Sequence, residues 1–314
     1  MNRYTVRLIT LGPILLAFMS LYPLCIKAEE KQSVRLPILA GQWYPRSRDQ
    51  LQKRVEHLLS EAATPPVKGT LKAIIVPHAG YTYSGPVAAH AYKILQGRPF
   101  RRIILVGPSH RATFKGVSVN LQKVYRTPLG DVPVDLSMAK KIIQLGKPCI
   151  RWLAQAHGME HSLEIQLPFL QTVLSEFSIV PIVMGQQDYN TCLDISRILA
   201  EALGRSEDTL ILASSDLSHY HTYQKAKEKD LEFIKHTKAF DPEALDKALS
   251  KGHCEACGQG PVIATMLTAR KLGADQSYIL DYANSGDITG YHNRVVGYLA
   301  AALFRSSDRD QHPR

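Results

Sequence analysis

Five continuous apolar runs constrain the fold of this chain more than any other feature: LKAIIVP at 71–77, RRIILVG at 101–107, FSIVPIVMG at 177–185, TLILAS at 209–214 and VVGYLAAALF at 295–304. None of them alternates apolar with polar residues, so each should be buried on both sides, as strands are inside a sheet that is covered on both faces. Between the runs lie segments with helical spacing: GPVAAHAYKIL at 85–95, MAKKIIQLG at 138–146, EHSLEIQLPFLQTVL at 160–174 and LDISRILAEALG at 193–204. This alternation predicts an α/β fold, a single domain with a largely parallel central sheet flanked by helices on both faces. No internal repeat or linker-like tract interrupts the body, so one domain is expected over 29–305, with a polar tail at 306–314.

The start of the chain differs from the rest. Arg3 and Arg7 precede an apolar stretch from Leu8 to Cys25, no acid occurs before Glu29, and Ala28 offers a small residue for cleavage. This reads as an export signal over 1–28, cleaved or kept as an anchor, with a periplasmic or extracellular destination. The formal charge of +10 includes three cations of this leader. The remaining basic residues are mixed with acids, as in KEKDLEFIKHTK, and form no stripe with interleaved aromatics, so nucleic acid is not expected as a ligand.

Where parallel strands end, ligands bind. LKAIIVP runs into His78 of PHAGYTYSG, RRIILVG into His110 of GPSH, and TLILAS into Asp216 and His219 of SSDLSHY. With Cys257 added, five ligand-type residues should face one crevice. Two histidines in equivalent loops favour a shared ligand over two separate structural roles, and imidazole is the commonest metal donor at neutral pH.

Cys257 lies in HCEACGQGPV, ahead of the expected helix PVIATMLTARKLG, whose N-terminus should lower the thiol pKa and favour thiolate. A Cys254–Cys257 disulfide, half of a zinc site or an inert buried thiol remain open. Haem attachment fails because Gly258 stands where histidine is required. Asp216 and His219 suit a base and its orienter, or a grip on metal-bound water; the bland reading makes Asp216 a helix cap with His219 on the first turn. HGMEHSLEIQLPFL offers His157, Glu160, His161 and Glu164, but the order is not HExxH, and one acid is expected to pair with a neighbouring cation. Ser109, Ser214 and Ser215 raise hydrolase chemistry, yet GxSxG is absent.

Taken together, PHAGYTYSGPVAAHAY, GPSH, EHSLEIQLPFL, SSDLSHY, CGQGP and NSGD resemble the Memo family, whose bacterial members are called AmmeMemoRadiSam system protein B. The resemblance runs from about Ala40 to Leu303 and implies a fold like that of the class III extradiol dioxygenases, non-haem iron enzymes. It implies metal ligation by His78, His110 and Cys257, with Asp216 and His219 lining the same pocket in proton-handling roles. A thiolate with two imidazoles suits iron(II), copper or zinc better than magnesium or calcium. The implied activity is redox or dioxygenase-like on an unknown small molecule. The alternative is a non-catalytic metal-handling protein, or one that binds a peptide or other partner. The family also implies a shared pathway with radical SAM and AMMECR1-domain proteins.

Overall fold

The computed structural model describes residues 33–63 and 66–307; the expected leader and all but the first two residues of the expected tail lie outside the described residues. Twelve strands are described: β1 (Val34–Arg35), β2 (Thr70–Val76), β3 (Arg102–Pro108), β4 (Val117–Val119), β5 (Val124–Thr127), β6 (Gly130–Pro133), β7 (Ile150–Arg151), β8 (Ser178–Met184), β9 (Thr209–Ser214), β10 (His219–His221), β11 (Gln276–Asn284) and β12 (Val295–Arg305). Nine form one sheet in the order β10-β12-β2-β9-β3-β8-β4-β7, with β11 on β12. The other three, β1-β5-β6, make a small sheet of their own.

The central strands β2, β9, β3 and β8 run parallel. Their residues alternate between two cores, which is why the runs read as continuously apolar. Ile74, Val76, Ile103 and Leu105 enter one core with the helices Arg48–Glu61 and Gly85–Lys93. Ala73, Ile75, Ile104 and Val106 enter the other with the helices Tyr189–Leu203 and Gln259–Lys271. The expected α/β class with helices on both faces therefore holds.

Antiparallel pairs flank this centre: β12 pairs β11 and β2 in that sense, and β4 so pairs β8, while the edge strand β7 runs parallel to β4. Between β11 and β12 lie only a five-residue helix, Ser285–Thr289, and a short turn. That connection suits a reversal and is too short for a parallel crossover. Among the described residues no helix is long and apolar enough to cross a membrane.

One expected helix is different. Residues 160–174 form a loop, a 3-10 turn at Glu164–Gln166 and a helix only from Leu167 to Val173. Pro168 sits in the first turn of that helix, where its missing N–H costs nothing, and it would clash inside a longer one. The consequence is a non-helical stretch carrying Glu160 and His161.

Candidate metal centre

β2, β9 and β3 are neighbours in the sheet, so their carboxyl ends stand side by side and deliver His78, Asp216 and His110 to one crevice. His161 joins them from the loop ahead of the Leu167–Val173 helix. One ligand atom each from His78, His110 and His161 lies within 4.8 Å of the others. Cys257 approaches from the opposite wall, its Sγ 3.1 Å from His78 Nε2. Asp216 and His219 line the same cavity, of about 910 Å³. All five residues expected at the site thus meet there. His161 is the member that sequence reasoning leaves outside the ligand set; the signal for it is Pro168, which marks where the helix must begin.

Hydrogen bonds fix which nitrogen each ring presents. Ser214 Oγ has one proton, and it goes to the Ser162 carbonyl at 2.7 Å. Ser214 Oγ must therefore accept from Gln166 Nε2 at 2.8 Å and from His78 Nδ1 at 2.9 Å. His78 consequently carries its proton on Nδ1 and keeps a lone pair on Nε2. His110 Nδ1 donates to Glu160 Oε1 at 2.9 Å, which frees its Nε2 in the same way. Such outer partners orient ligating histidines and raise their basicity. Glu160 is itself held by the backbone N–H groups of His110 and Ser162, at 2.7 and 2.9 Å.

The charge states suit metal binding. Burial, and then the neighbouring His110, push His78 down to about 3. Burial, and then His78, push His161 down to about 3. Both rings are neutral at pH 7 with lone pairs available. Burial by itself would raise the Glu160 carboxyl, but its hydrogen bonds and charge interaction with His110 bring it down to about 2. His161 Nδ1 is buried without a hydrogen-bond partner, 3.5 Å from Glu160 Oε1. Three imidazoles that converge in one place suit an intermediate or soft cation.

Cys257 departs from the thiolate expectation. Burial, and then the Asp216 charge, push its thiol above the ordinary value; donors at Ser215 and Gly258 offset only part of this. As a thiol, Cys257 donates to His78 Nε2. Cys254 packs in the core and Cys257 faces the cavity, and both are free. Gly258 is required beside it, since a Cβ there would stand 2.5 Å from the Ser214 carbonyl oxygen.

Asp216 is no helix cap. Its Oδ1 accepts the His78 backbone N–H at 2.7 Å, and burial raises its pKa to about 6 against the pull of that N–H and His219. His219 lies in β10, and its Nδ1 donates to the Leu217 carbonyl at 2.8 Å. The serine-hydrolase arrangement is absent among the described residues, because Ser109 donates to the Ala112 carbonyl and Ser215 to that of Asp216. Glu164 is the acid that pairs with a cation, the buried Arg35, and it also accepts from Tyr44 at 2.5 Å.

Comparison with known proteins identifies the family. The Memo-like protein family model matches residues 35–302. A MEMO1 family protein of Methanopyrus kandleri is 37% identical over 284 residues, covering 86% of this chain and 99% of the relative. One from Aquifex aeolicus is 38% identical over 267 residues, covering 85% and 97%. The crystal structure of an uncharacterized protein from Escherichia coli superposes with a TM-score of 0.50 at 16% identity, over 74% of this chain and 99% of that one, a likeness of fold alone. With a matched region that spans β2 to β12 and carries every residue of the cluster, the chain belongs to the Memo-like protein family.

Proposed function

We propose that His78, His110 and His161 hold a transition metal ion, iron(II) or copper, with zinc also suited, and that Cys257 adds a sulfur donor. The observation that carries this is the convergence of the His78, His110 and His161 imidazoles, one ligand atom of each within 4.8 Å of the others. Oxygen-only cations such as magnesium and calcium do not suit the donor set. Elemental analysis of protein purified without chelators, or loaded with metal anaerobically, tests it. Near-stoichiometric iron or copper that is lost in the His78→Ala variant supports it, and no tight metal in the wild type removes it.

The activity we infer is redox or dioxygenase-like, on a small molecule that enters the cavity. Iron or copper bound there would supply Lewis-acid and redox chemistry. The chain's own residues handle protons: the His219 ring lines the cavity with Nδ1 tied to the Leu217 carbonyl, and Asp216, with its pKa raised to about 6, changes charge close to neutrality. Trp43, Tyr83, Tyr220 and Tyr291 wall the mouth and give a substrate apolar surface. A cavity of about 910 Å³ favours this reading over a non-catalytic metal carrier or partner-binding protein, which needs no such volume. Export by the N-terminal segment, and a pathway shared with radical SAM and AMMECR1-domain proteins, belong to the same proposal.

A further inference from the structure

Beside the metal cavity lies a second cleft of about 800 Å³. Gln42, Trp43 and Thr82 line both, so the two adjoin, with Trp43 at their shared boundary. Trp43 is fixed there: its carbonyl accepts the Tyr81 N–H at 2.9 Å and its ring meets His161 edge-on at 4.7 Å. The charged residues of the second cleft are Arg46 and Arg54, and no acid is among its lining residues.

The two guanidinium groups are positioned without being neutralised. Arg46 Nε and Nη2 both reach the Ala40 carbonyl at 3.4 Å, over Gly41, where a side chain would crowd the guanidinium. Arg54 Nη2 reaches the Tyr81 carbonyl at 3.4 Å. Among the described residues neither makes an ion pair with an acid. A guanidinium carries five N–H donors, so each keeps several for a further acceptor, in a geometry that matches carboxylate or phosphate.

We propose that this cleft is an anion subsite, in which Arg46 and Arg54 seat a phosphate or carboxylate group at one end of an elongated ligand whose other end reaches the imidazole cluster past Trp43. The destination of the far end rests on the metal-centre reading above; anion binding in the cleft does not. A ligand of this kind is read by charge at one end and presented to the metal cavity at the other. The basic cleft would select among molecules that the aromatic cavity alone accepts equally.

The test is calorimetric titration of the full-length, chelator-stripped protein with inorganic phosphate and, separately, with succinate. A parallel fluorescence titration uses a Trp152→Phe variant, in which Trp43 is the sole remaining tryptophan. Saturable binding that perturbs Trp43, and that weakens on the order of tenfold in an Arg46→Gln/Arg54→Gln double variant, is expected. The exposed Arg46→Gln change alone should also weaken it, while Lys115→Gln, at an exposed residue that lines neither cleft, should not. A response to phosphate alone names a phosphate end, and a response to succinate alone a carboxylate end. No saturable binding of either probe, or unchanged affinity in the double variant, overturns the subsite. Because the protein is metal-free in this experiment, an intact anion response with no metal affinity would sink the metal-centre reading alone.

Discussion

His110 Nδ1 and Glu160 Oε1 stand 2.9 Å apart, and the other oxygen of the same carboxylate takes the His110 backbone N–H at 2.7 Å. One acid thus fixes both the ring and the main chain of a histidine in the cluster. Glu160→Gln should keep the shape and lose the charge, weakening metal affinity about tenfold to a hundredfold without abolishing it. Competition against a chromophoric chelator measures this; wild-type affinity in the variant would remove Glu160 from the centre.

The third imidazole and the thiol can be separated. His161→Ala should lose most of the metal that the wild type binds, by elemental analysis. Cobalt-loaded wild type should show sulfur-to-metal charge-transfer absorption that disappears in Cys257→Ser. Cobalt protein without that absorption would leave the centre to the imidazoles.

Acid should destabilise the fold partly through His157, whose ring lies 3.0 Å from Ser118 Oγ and 3.1 Å from Tyr125 Oη. Burial, and then Arg35, push it down to about 3, from an unfolded value of 6.5. As pH falls, the unfolded chain takes up this proton first, so stability present above pH 6.5 drains away between there and about pH 3. The loss reaches up to about 4 kcal/mol. Urea unfolding across that range should show a shallower acid slope in His157→Gln; identical slopes would refute the assignment.

Removing Arg35 should cost more than most surface changes. It is buried against Glu164, which also accepts the N–H groups of Ile38 and Leu39. Arg35→Met leaves an uncompensated buried carboxylate, an expected loss of about 3 kcal/mol, part of which Glu164→Gln added to it should restore. A loss below about 1 kcal/mol in urea denaturation would mean that the pair is solvated.

The strands with continuous apolar runs were legible because burial on both faces leaves few polar positions in them, mostly at their ends. TLILAS coincides with β9, and LKAIIVP and RRIILVG differ from β2 and β3 by one residue at each end. The short strands β4 to β7 and the mostly half-buried β11 carry no such signature. His78 and His110 could be placed because each directly follows a strand. His161 follows no strand, and its role depends on where Pro168 permits a helix to start. The protonation of Cys257 was not readable either, since it is set first by burial and then by Asp216, forty-one positions away in sequence and adjacent in space.

The three imidazoles come from the ends of two separate strands and from a loop ahead of a helix, so no single segment of the chain carries the proposed binding site. An ion held there would find its full ligand set only once the sheet has closed, a late guest rather than a template for folding. Once seated, it would bind only the completed fold, and the whole domain's resistance to unfolding would rise with the free concentration of metal around it.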